Sequence, residues 1–228
     1  MLKKLLITLL VIFVMSVRAM AELTELPEPA GNIAIVTHND MIYFIGGNDE
    51  NIAKKSFYSY SLKTEKWEKL PDMNEGRLGH CALYYKDSIY VFGGIGNVKD
   101  SPVILSSVEV FDINKGVWRK EKDMIQKRAR FAMASKGNKV YFFGGLKDKT
   151  GSTDSVEEFD LETGKWEGKE DLPGAMNRMS AVTSQDGFIY VIGGENEEGD
   201  TVNSVYKYDP STDKYIEISP LKYARKNF

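Results

Sequence analysis

The sequence has 228 residues, which by length alone fits one or two average domains. Hydrophobic residues make up 42%, aromatic residues 11% and charged residues 28%, a composition typical of a folded globular chain. The net charge of −3 disfavours nucleic acid and anionic membrane surfaces as partners, and the single cysteine, Cys81, excludes an intrachain disulfide.

The first segment of the chain, residues 1–21, has the pattern of a secretory signal peptide. Two lysines precede an apolar run at 5–17, and the small-residue sequence AMA comes directly before Glu22. This run is shorter than the roughly 20 residues that a spanning helix needs, although a signal anchor stays open as an alternative. We therefore expect a secreted or periplasmic protein, with a net charge of about −6 and no membrane insertion after cleavage.

The rest of the chain, residues 22–228, repeats one unit of about 50 residues four times. Each unit has a glycine pair after an apolar run, an aromatic residue 20 to 24 residues later, and a second aromatic seven residues before that one. The glycine pairs are Gly46 and Gly47, Gly93 and Gly94, Gly144 and Gly145, and Gly193 and Gly194. The later aromatics are Trp67, Trp118, Trp166 and Tyr215, and the earlier ones are Tyr60, Phe111, Phe159 and Tyr208.

Each unit predicts four short strands, which in the second unit cover roughly 79–85, 88–94, 107–113 and 117–121. The first two strands are predicted to be joined by two-residue turns at 39–40, 86–87, 137–138 and 186–187. The second strand is apolar at successive positions, which is typical of a strand covered on both faces. The pattern predicts an all-β propeller with four-stranded blades at about 31–73, 77–124, 128–173 and 178–221.

The glycine pair after an apolar strand, the spaced aromatic pair that ends in Trp, and the period near 50 residues resemble the kelch repeat. The resemblance covers residues 31–221 and implies a kelch-type β-propeller. The Trp-Asp repeat family would need a Trp-Asp dipeptide, and the sequence contains none.

The two ends of the repeat array predict an incomplete ring. Residues 223–228 match residues 127–132 and read as the start of a further blade. Residues 23–29 resemble residues 67–73, so they are predicted to supply an outer strand to a blade completed from the C-terminus, as is typical of the kelch family. We expect the chain to be part of a longer protein. A complete four-bladed ring, or an open arc closed by self-association, is the alternative.

Four arginines near the starts of the innermost strands are the candidate ligand-binding residues: Arg77, Arg128, Arg178 and Arg225. Three of them lie ten residues after an aromatic landmark, whereas Arg178 is displaced by one or two positions. In kelch domains that bind acidic peptides, arginines at such positions contact the ligand. The resemblance therefore implies a channel mouth that recognises anions. The alternative interpretation is that these arginines pair with loop carboxylates and hold the blades together.

The other chemically active residues align with structural positions. Cys81 shares a slot with alanine in the other units, including Ala181 in the fourth, which indicates a packing role. His38 and His80 are expected at opposite ends of first strands in different blades, so we predict no metal or other cofactor. A serine beside each glycine pair is predicted to have a structural duty: Ser56, Ser107, Ser155 and Ser204.

The function that the sequence favours is a binding module for a protein or a carbohydrate, which could be anionic, through the variable loops around the central channel. The alternative is a cofactor-independent sialic acid mutarotase or epimerase, an activity found in some periplasmic kelch propellers. That chemistry needs a general acid/base carboxylate beside an arginine. A structural segment of a larger surface protein is the third hypothesis.

Overall fold

The structure, a computed structural model, describes residues 25–28, 30–50, 52–98, 101–149 and 151–228. The predicted signal segment at 1–21 lies outside the described residues. In the described ranges there is no helix long and apolar enough to cross a membrane.

The described residues form four antiparallel four-stranded sheets, the blades of a propeller, and three short strand pairs in the loops. Blade 1 contains, in chain order, β1 (Ala34–His38), β2 (Met41–Ile45), the loop pair β3 (Asn48–Asp49) and β4 (Ile52–Ala53), β5 (Phe57–Ser61) and β6 (Lys66–Leu70). Blade 2 contains β7 (Cys81–Tyr85), β8 (Ser88–Phe92), the loop pair β9 (Ile95–Val98) and β10 (Ser101–Ile104), β11 (Val108–Asp112) and β12 (Val117–Glu121).

Blade 3 contains β13 (Ala132–Lys136), β14 (Lys139–Phe143), β15 (Val156–Asp160) and β16 (Lys165–Lys169). The remaining strands are β17 (Met176–Asn177), β18 (Ser180–Thr183), β19 (Ile189–Ile192), β20 (Glu195–Asn196), β21 (Val205–Asp209) and β22 (Lys214–Glu217). Blade 4 consists of β18, β19, β21 and β22, while β17 pairs with β20 in the loops. In every blade the first strand is at one edge and contacts the first strand of a neighbour, as β1 does with β7 and β13 with β18.

The second strand of a middle blade is covered on both faces, as its unbroken apolar sequence predicts. In β8, Ile89 and Val91 pack in the core shared with blade 1, whereas Tyr90 and Phe92 pack in the core shared with blade 3. Successive side chains of a strand point to opposite faces, so such a strand needs an apolar residue at every position. The prediction of two-sided burial is therefore confirmed for this strand.

The seven-residue spacing of the aromatic landmarks is the length of the hairpin between the third and fourth strands. Phe111 pairs directly with Trp118, and their ring centroids are 5.1 Å apart. The other three landmark pairs face each other across the same ladder, at 4.6 to 4.9 Å. The Trp118 indole also donates a hydrogen bond of 2.7 Å to the Pro71 carbonyl at the exit of the preceding blade. These aromatics thus hold both the hairpin and the joint between blades.

The glycine pairs join each blade to the chain that follows. In the second unit, Gly93 N–H donates to the Ser107 carbonyl at 3.1 Å and Gly94 N–H donates to the Arg128 carbonyl at 2.9 Å. Both glycines have positive φ, and a Cβ on Gly93 would lie 2.5 Å from the Arg128 carbonyl oxygen. The other three pairs make the same two hydrogen bonds. The serine before each third strand thus contacts the glycine pair through its backbone carbonyl. Any residue type could make this contact, so it does not explain why serine recurs there.

The turn between the first two strands departs from expectation in blade 4. In blade 2, Lys86 and Asp87 form a two-residue turn and both have positive φ, at 43° and 55°. In blade 4 the last strand pair is Thr183 with Ile189, and Gly187 supplies the positive φ. The predicted two-residue turn at 186–187 is wrong, because this turn is one residue longer than the others.

The longer turn changes which residues of the fourth unit are equivalent to those of the others. Ser180 pairs with Ile192 as Cys81 pairs with Phe92, so Ser180 occupies the cysteine slot. The alignment of Ala181 with that slot is therefore wrong by one residue. Arg178 lies two residues before Ser180, as Arg130 lies two residues before Ala132, so it is not a displaced copy of Arg128.

Candidate functional site

Two of the four candidate arginines, Arg77 and Arg128, are fully buried in the joints between blades. Arg77 Nη1 donates to the Gly93 carbonyl at 2.8 Å and to the Ser107 carbonyl at 3.1 Å. Its Nη2 donates to Glu109 Oε1 at 2.8 Å, and Glu109 is itself 3% exposed. This guanidinium is already occupied by the protein's own acceptors.

Arg128 repeats the arrangement one blade later. Its Nη1 donates to the Gly144 carbonyl at 2.8 Å and to the Ser155 carbonyl at 3.0 Å, and its Nη2 pairs with Glu157. Burial lowers the pKa of Arg128, and the neighbouring Glu157 carboxylate opposes that effect. The contacts of Arg77 and Arg128 agree with the alternative interpretation, in which these arginines hold the blades together. Neither side chain has exposed surface, so neither presents an N–H group to a ligand in the channel.

The equivalent slot in the fourth unit holds Met176, not Arg178. Gly145 N–H donates to the Met176 carbonyl at 2.8 Å, just as Gly94 N–H donates to the Arg128 carbonyl. Arg225 continues the series, since its carbonyl accepts from Gly194 N–H at 2.9 Å. Its side chain is exposed and lies over the Phe228 ring, 5.9 Å from the ring centroid.

A different set of residues, two positions further along each unit, surrounds the opening of the central channel. Each has positive φ and lies just before a first strand or its equivalent: Asn32, Gly79, Arg130, Arg178 and Asn227. From Gly79 onward, the N–H of each member donates to the carbonyl of the preceding one, at 3.3 Å for Gly79, 2.7 Å for Arg130, 2.7 Å for Arg178 and 3.1 Å for Asn227. We call this series the mouth ladder.

The mouth ladder lines a recess of about 350 Å³, which we call the channel mouth. The residue after each ladder member completes its wall: Ile33, His80, Phe131, Met179 and Phe228. The first residues of the loops that follow the glycine pairs lie beside it, because Leu78 bridges Ile95 and Ala129 bridges Leu146. The channel mouth therefore opens on the face that carries the variable loops, as the strand directions predict.

Arg178 and Arg130 give the channel mouth its positive charge. Arg178 Nη1 contacts Glu195 Oε2 at 2.6 Å, and Lys226 pairs with the same carboxylate. Arg130 forms no hydrogen bond or ion pair through its guanidinium with any residue that the structure describes. Burial and the neighbouring charge of Arg178 lower the pKa of Arg130, and Glu195 acts in the opposite direction.

Sequence reasoning did not single out Arg130. It counted from the aromatic landmarks and stopped at Arg128, the first arginine of the sequence RAR. The signal that could have found it is the sequence just before each first strand. Counting back two residues from the first residue of β1, β7, β13 or β18 gives Asn32, Gly79, Arg130 and Arg178, two of which favour positive φ.

A sequence model of the KLHDC2/KLHL20/DRC7 Kelch-repeats domain matches residues 31–226. The chain belongs to this kelch family. The expected resemblance to the kelch repeat and the kelch-type propeller fold are both confirmed.

Several kelch proteins are similar to this chain over part of their length. Beta-scruin of Limulus polyphemus is 31% identical over 179 residues, which cover 75% of this chain and 19% of that protein. Kelch-like protein 36 of Bos taurus is 30% identical over 194 residues, which cover 81% of this chain and 30% of that protein. The chain therefore spans less than a third of the length of these curated relatives.

Among solved structures, that of YjhT superposes with a TM-score of 0.79. Its sequence is 19% identical, and the match covers 90% of this chain and 75% of that one. At this identity the likeness supports the fold alone.

The remaining reactive groups of this kelch propeller are buried or engaged elsewhere. Burial raises the pKa of the Cys81 thiol to about 12, which makes it a poor nucleophile. His38 stacks on Tyr84 with ring centroids 3.6 Å apart, whereas His80 is buried in the wall of the channel mouth. In the part of the chain that the structure describes, no three His, Cys, Asp or Glu side chains are grouped as a metal site requires.

Proposed function

We propose that this kelch propeller binds a partner protein through an acidic segment that enters the channel mouth. The observation that carries the proposal is Arg130. This guanidinium is half-buried, has no carboxylate partner among the described residues, and has a second arginine beside it. A carboxylate placed there would gain charge-assisted hydrogen bonds in a partly desolvated site, where such bonds are strong.

The backbone of Arg130 adds support. Its φ of +52° lies in the left-handed region, which side chains other than Gly, Asn and Asp rarely adopt. Two equivalent positions of the mouth ladder are Asn and one is Gly, so the scaffold does not require arginine. Strain of this kind is often found where a side chain has a binding role. Membership of a family that includes Kelch-like proteins agrees with a protein ligand.

A sugar-acid epimerase receives less support from the same groups. Such an enzyme needs a carboxyl group with a pKa near neutrality in the recess. Lys226 and Arg178 instead lower the pKa of Glu195, the carboxyl group paired with the mouth arginine. A carbohydrate ligand for the loops stays a prediction from the sequence.

The experiment is to measure binding of short Gly/Ser peptides that carry adjacent Asp and Glu residues, with both ends blocked, by fluorescence anisotropy on the full chain. We expect Arg130→Gly to weaken binding by at least roughly tenfold, because the charge-assisted bonds are lost. The same variant should keep the free energy of unfolding within about 1 kcal/mol of the parent or raise it, since glycine removes the left-handed strain.

The matched control is Arg119→Ala, on outer strand β12, where the arginine is half exposed and pairs with Glu121. This change should leave binding unaltered. Peptides with Asn and Gln in place of Asp and Glu should bind no better than the Gly/Ser background. Equal affinity of the acidic peptide for the parent and for Arg130→Gly would overturn the proposal.

We also propose that the protein acts outside the cytoplasm, on the strength of the signal-like sequence at 1–21. Intact mass of the protein recovered from the periplasm or medium of an expressing cell should correspond to a chain that starts at Glu22. Recovery of only the uncleaved chain in the cytoplasm would contradict export.

A further inference from the structure

A groove beside the channel mouth lies between the loops of blades 2 and 3. Its volume is about 380 Å³, within the range of small ligand sites. One wall is the loop pair of β9 and β10, in which Ile104 pairs with Ile95. The facing wall is Leu146, which is fixed by two backbone hydrogen bonds to Ala129 at 2.7 and 3.0 Å. We call this feature the loop groove.

The floor of the loop groove is aliphatic and its rim is cationic. Lys127, Arg130 and Lys149 line it together with the aliphatic residues. Within the described ranges none of these three cations forms an ion pair. Asp148 is the acidic residue of the lining, and its Oδ1 accepts from Gly151 N–H at 2.7 Å. A cationic rim of this kind on a chain of net charge −3 favours an anionic partner.

Arg130 belongs to both recesses, because it lines the channel mouth and the loop groove. A ligand carboxylate at this guanidinium would therefore leave its neighbouring residues next to Ile104 and Leu146. Apolar side chains in such a groove lose contact with water, which contributes affinity, while the rim cations pair with acidic neighbours.

We propose that the loop groove binds a large aliphatic side chain of the same partner segment whose acidic side chain reaches Arg130. The recognised element is then an acidic residue with a leucine-like residue close to it in sequence. This inference rests on the proposed function, since it assigns a second determinant to the same ligand. It adds that affinity depends on an apolar contact as well as on charge.

The test compares four sets of peptides with blocked ends on a Gly/Ser background, so that side chains supply every carboxylate. The first set carries an acidic pair with Leu one to four residues away, and the second has Ser in place of that Leu. The third and fourth sets are the corresponding amide peptides. On the full chain we expect the acidic Leu peptide at the best spacing to bind roughly tenfold tighter than its Ser counterpart.

Variants locate the contact. Ile104→Ser should reduce the affinity for the acidic Leu peptide to that for the acidic Ser peptide. Ile52→Ser is the matched control, because Ile52 lies in the equivalent loop pair of blade 1 and is 68% exposed. Ile52→Ser should leave the affinities for the acidic Leu and Ser peptides unchanged. If Ile104→Ser does not fold, Lys149→Glu at the exposed rim is the second variant, and it should weaken binding of the acidic Leu peptide by roughly tenfold.

The outcomes separate the two proposals. Equal binding of the acidic Leu and Ser peptides, with dependence on Arg130 retained, overturns the loop groove and leaves the channel mouth. A preference for Leu that persists in Ile104→Ser also overturns it, and where that variant does not fold, undiminished binding of the acidic Leu peptide to Lys149→Glu does so. A concentration-dependent dimer that Ile104→Ser abolishes would make the loop groove a contact between copies and would overturn it too. If no peptide binds more tightly than a Kd of about 1 mM, both proposals fail.

Discussion

Arginine at two positions of the mouth ladder carries a conformational cost that glycine or asparagine would avoid. Arg130 and Arg178 have φ of +52° and +58°, and the left-handed region costs an ordinary residue about 1 kcal/mol or more. Gly79 holds the same place in blade 2 without that cost. Two strained arginines at a channel opening are therefore more informative about function than the two unstrained, buried ones. Under the proposed function, contacts between these side chains and an acidic ligand would offset this cost.

His80 is a second residue whose environment has a measurable consequence. Burial, and to a smaller extent the positive charge of Arg77, lower the pKa of His80 to about 3, while the nearby Ile45 carbonyl acts weakly in the other direction. Neither ring nitrogen has a hydrogen-bond partner of good geometry among the described residues. The folded protein therefore holds this imidazole neutral.

A pH dependence of stability follows from this depressed pKa. Between about pH 6.5 and about pH 3 the unfolded chain binds a proton at His80 that the folded chain does not, so stability falls as the pH falls. We expect His80→Phe, which introduces the residue that Phe131 supplies in the next blade, to remove about 2 kcal/mol of the stability loss between about pH 7 and about pH 5. Urea unfolding across this range measures the effect. His38→Phe is the control, and an unchanged slope in His80→Phe would contradict the assignment.

At the scale of the strands, the joint between blades has two chemical solutions in one chain. In blades 2 and 3 a buried arginine meets a buried glutamate, as Arg128 meets Glu157. In blade 4 the arginine slot holds Met176, and Tyr206 follows Val205 as Glu157 follows Val156. Tyr206 packs against the core that contains Met176. An ion pair and an apolar pair thus fill equivalent space.

This internal comparison predicts how the ion pair responds to substitution. Arg128→Met alone should lower the free energy of unfolding by about 3–5 kcal/mol, because Glu157 is left buried with its charge unpaired. Arg128→Met combined with Glu157→Tyr should cost less than either single change, since it recreates the blade 4 joint. Chemical denaturation of the three variants gives the coupling. Additive costs would contradict the comparison.

A surface pair on the same propeller provides the reference for that measurement. Arg119 and Glu121 pair on β12 with side chains 50% and 24% exposed. Exchanging Arg119 for Met should change the free energy of unfolding by about 1 kcal/mol or less, since exposed pairs contribute little. A similar cost at Arg119 and Arg128 would show that burial does not set the energy of the inner joint.

For the whole molecule, the sequence predicts the architecture because its constraints recur at a fixed period. The glycine pairs must have positive φ and no Cβ, and the paired aromatics such as Phe111 and Trp118 must face each other across a hairpin. Each requirement strongly restricts the residue type at its position, so four copies of the pattern leave few alternative folds. Kelch membership and the four-stranded blades could therefore be predicted.

The site was harder to predict, because it depends on register within each unit. One additional residue in the turn before Phe188 moves every equivalence in β18 by one position, and sequence spacing alone does not show which turn absorbs it. The sequence also does not show which of two neighbouring arginines is buried. Arg128 and Arg130 are two residues apart in the sequence, yet one is enclosed between blades and the other lines the opening. Only the strand pairing separates them.

The hydrogen bonds of the mouth ladder join main-chain groups only. They therefore do not depend on which side chain each position carries. Its three inner members, Gly79, Arg130 and Arg178, each contribute an N–H and a carbonyl, whereas Asn32 contributes its carbonyl and Asn227 its N–H. The side chain at each of the five positions can therefore vary while the backbone hydrogen bonds stay the same. Under the proposed function, a substitution at one of these positions would change which ligand the channel mouth prefers and would leave the buried contacts between the blades intact.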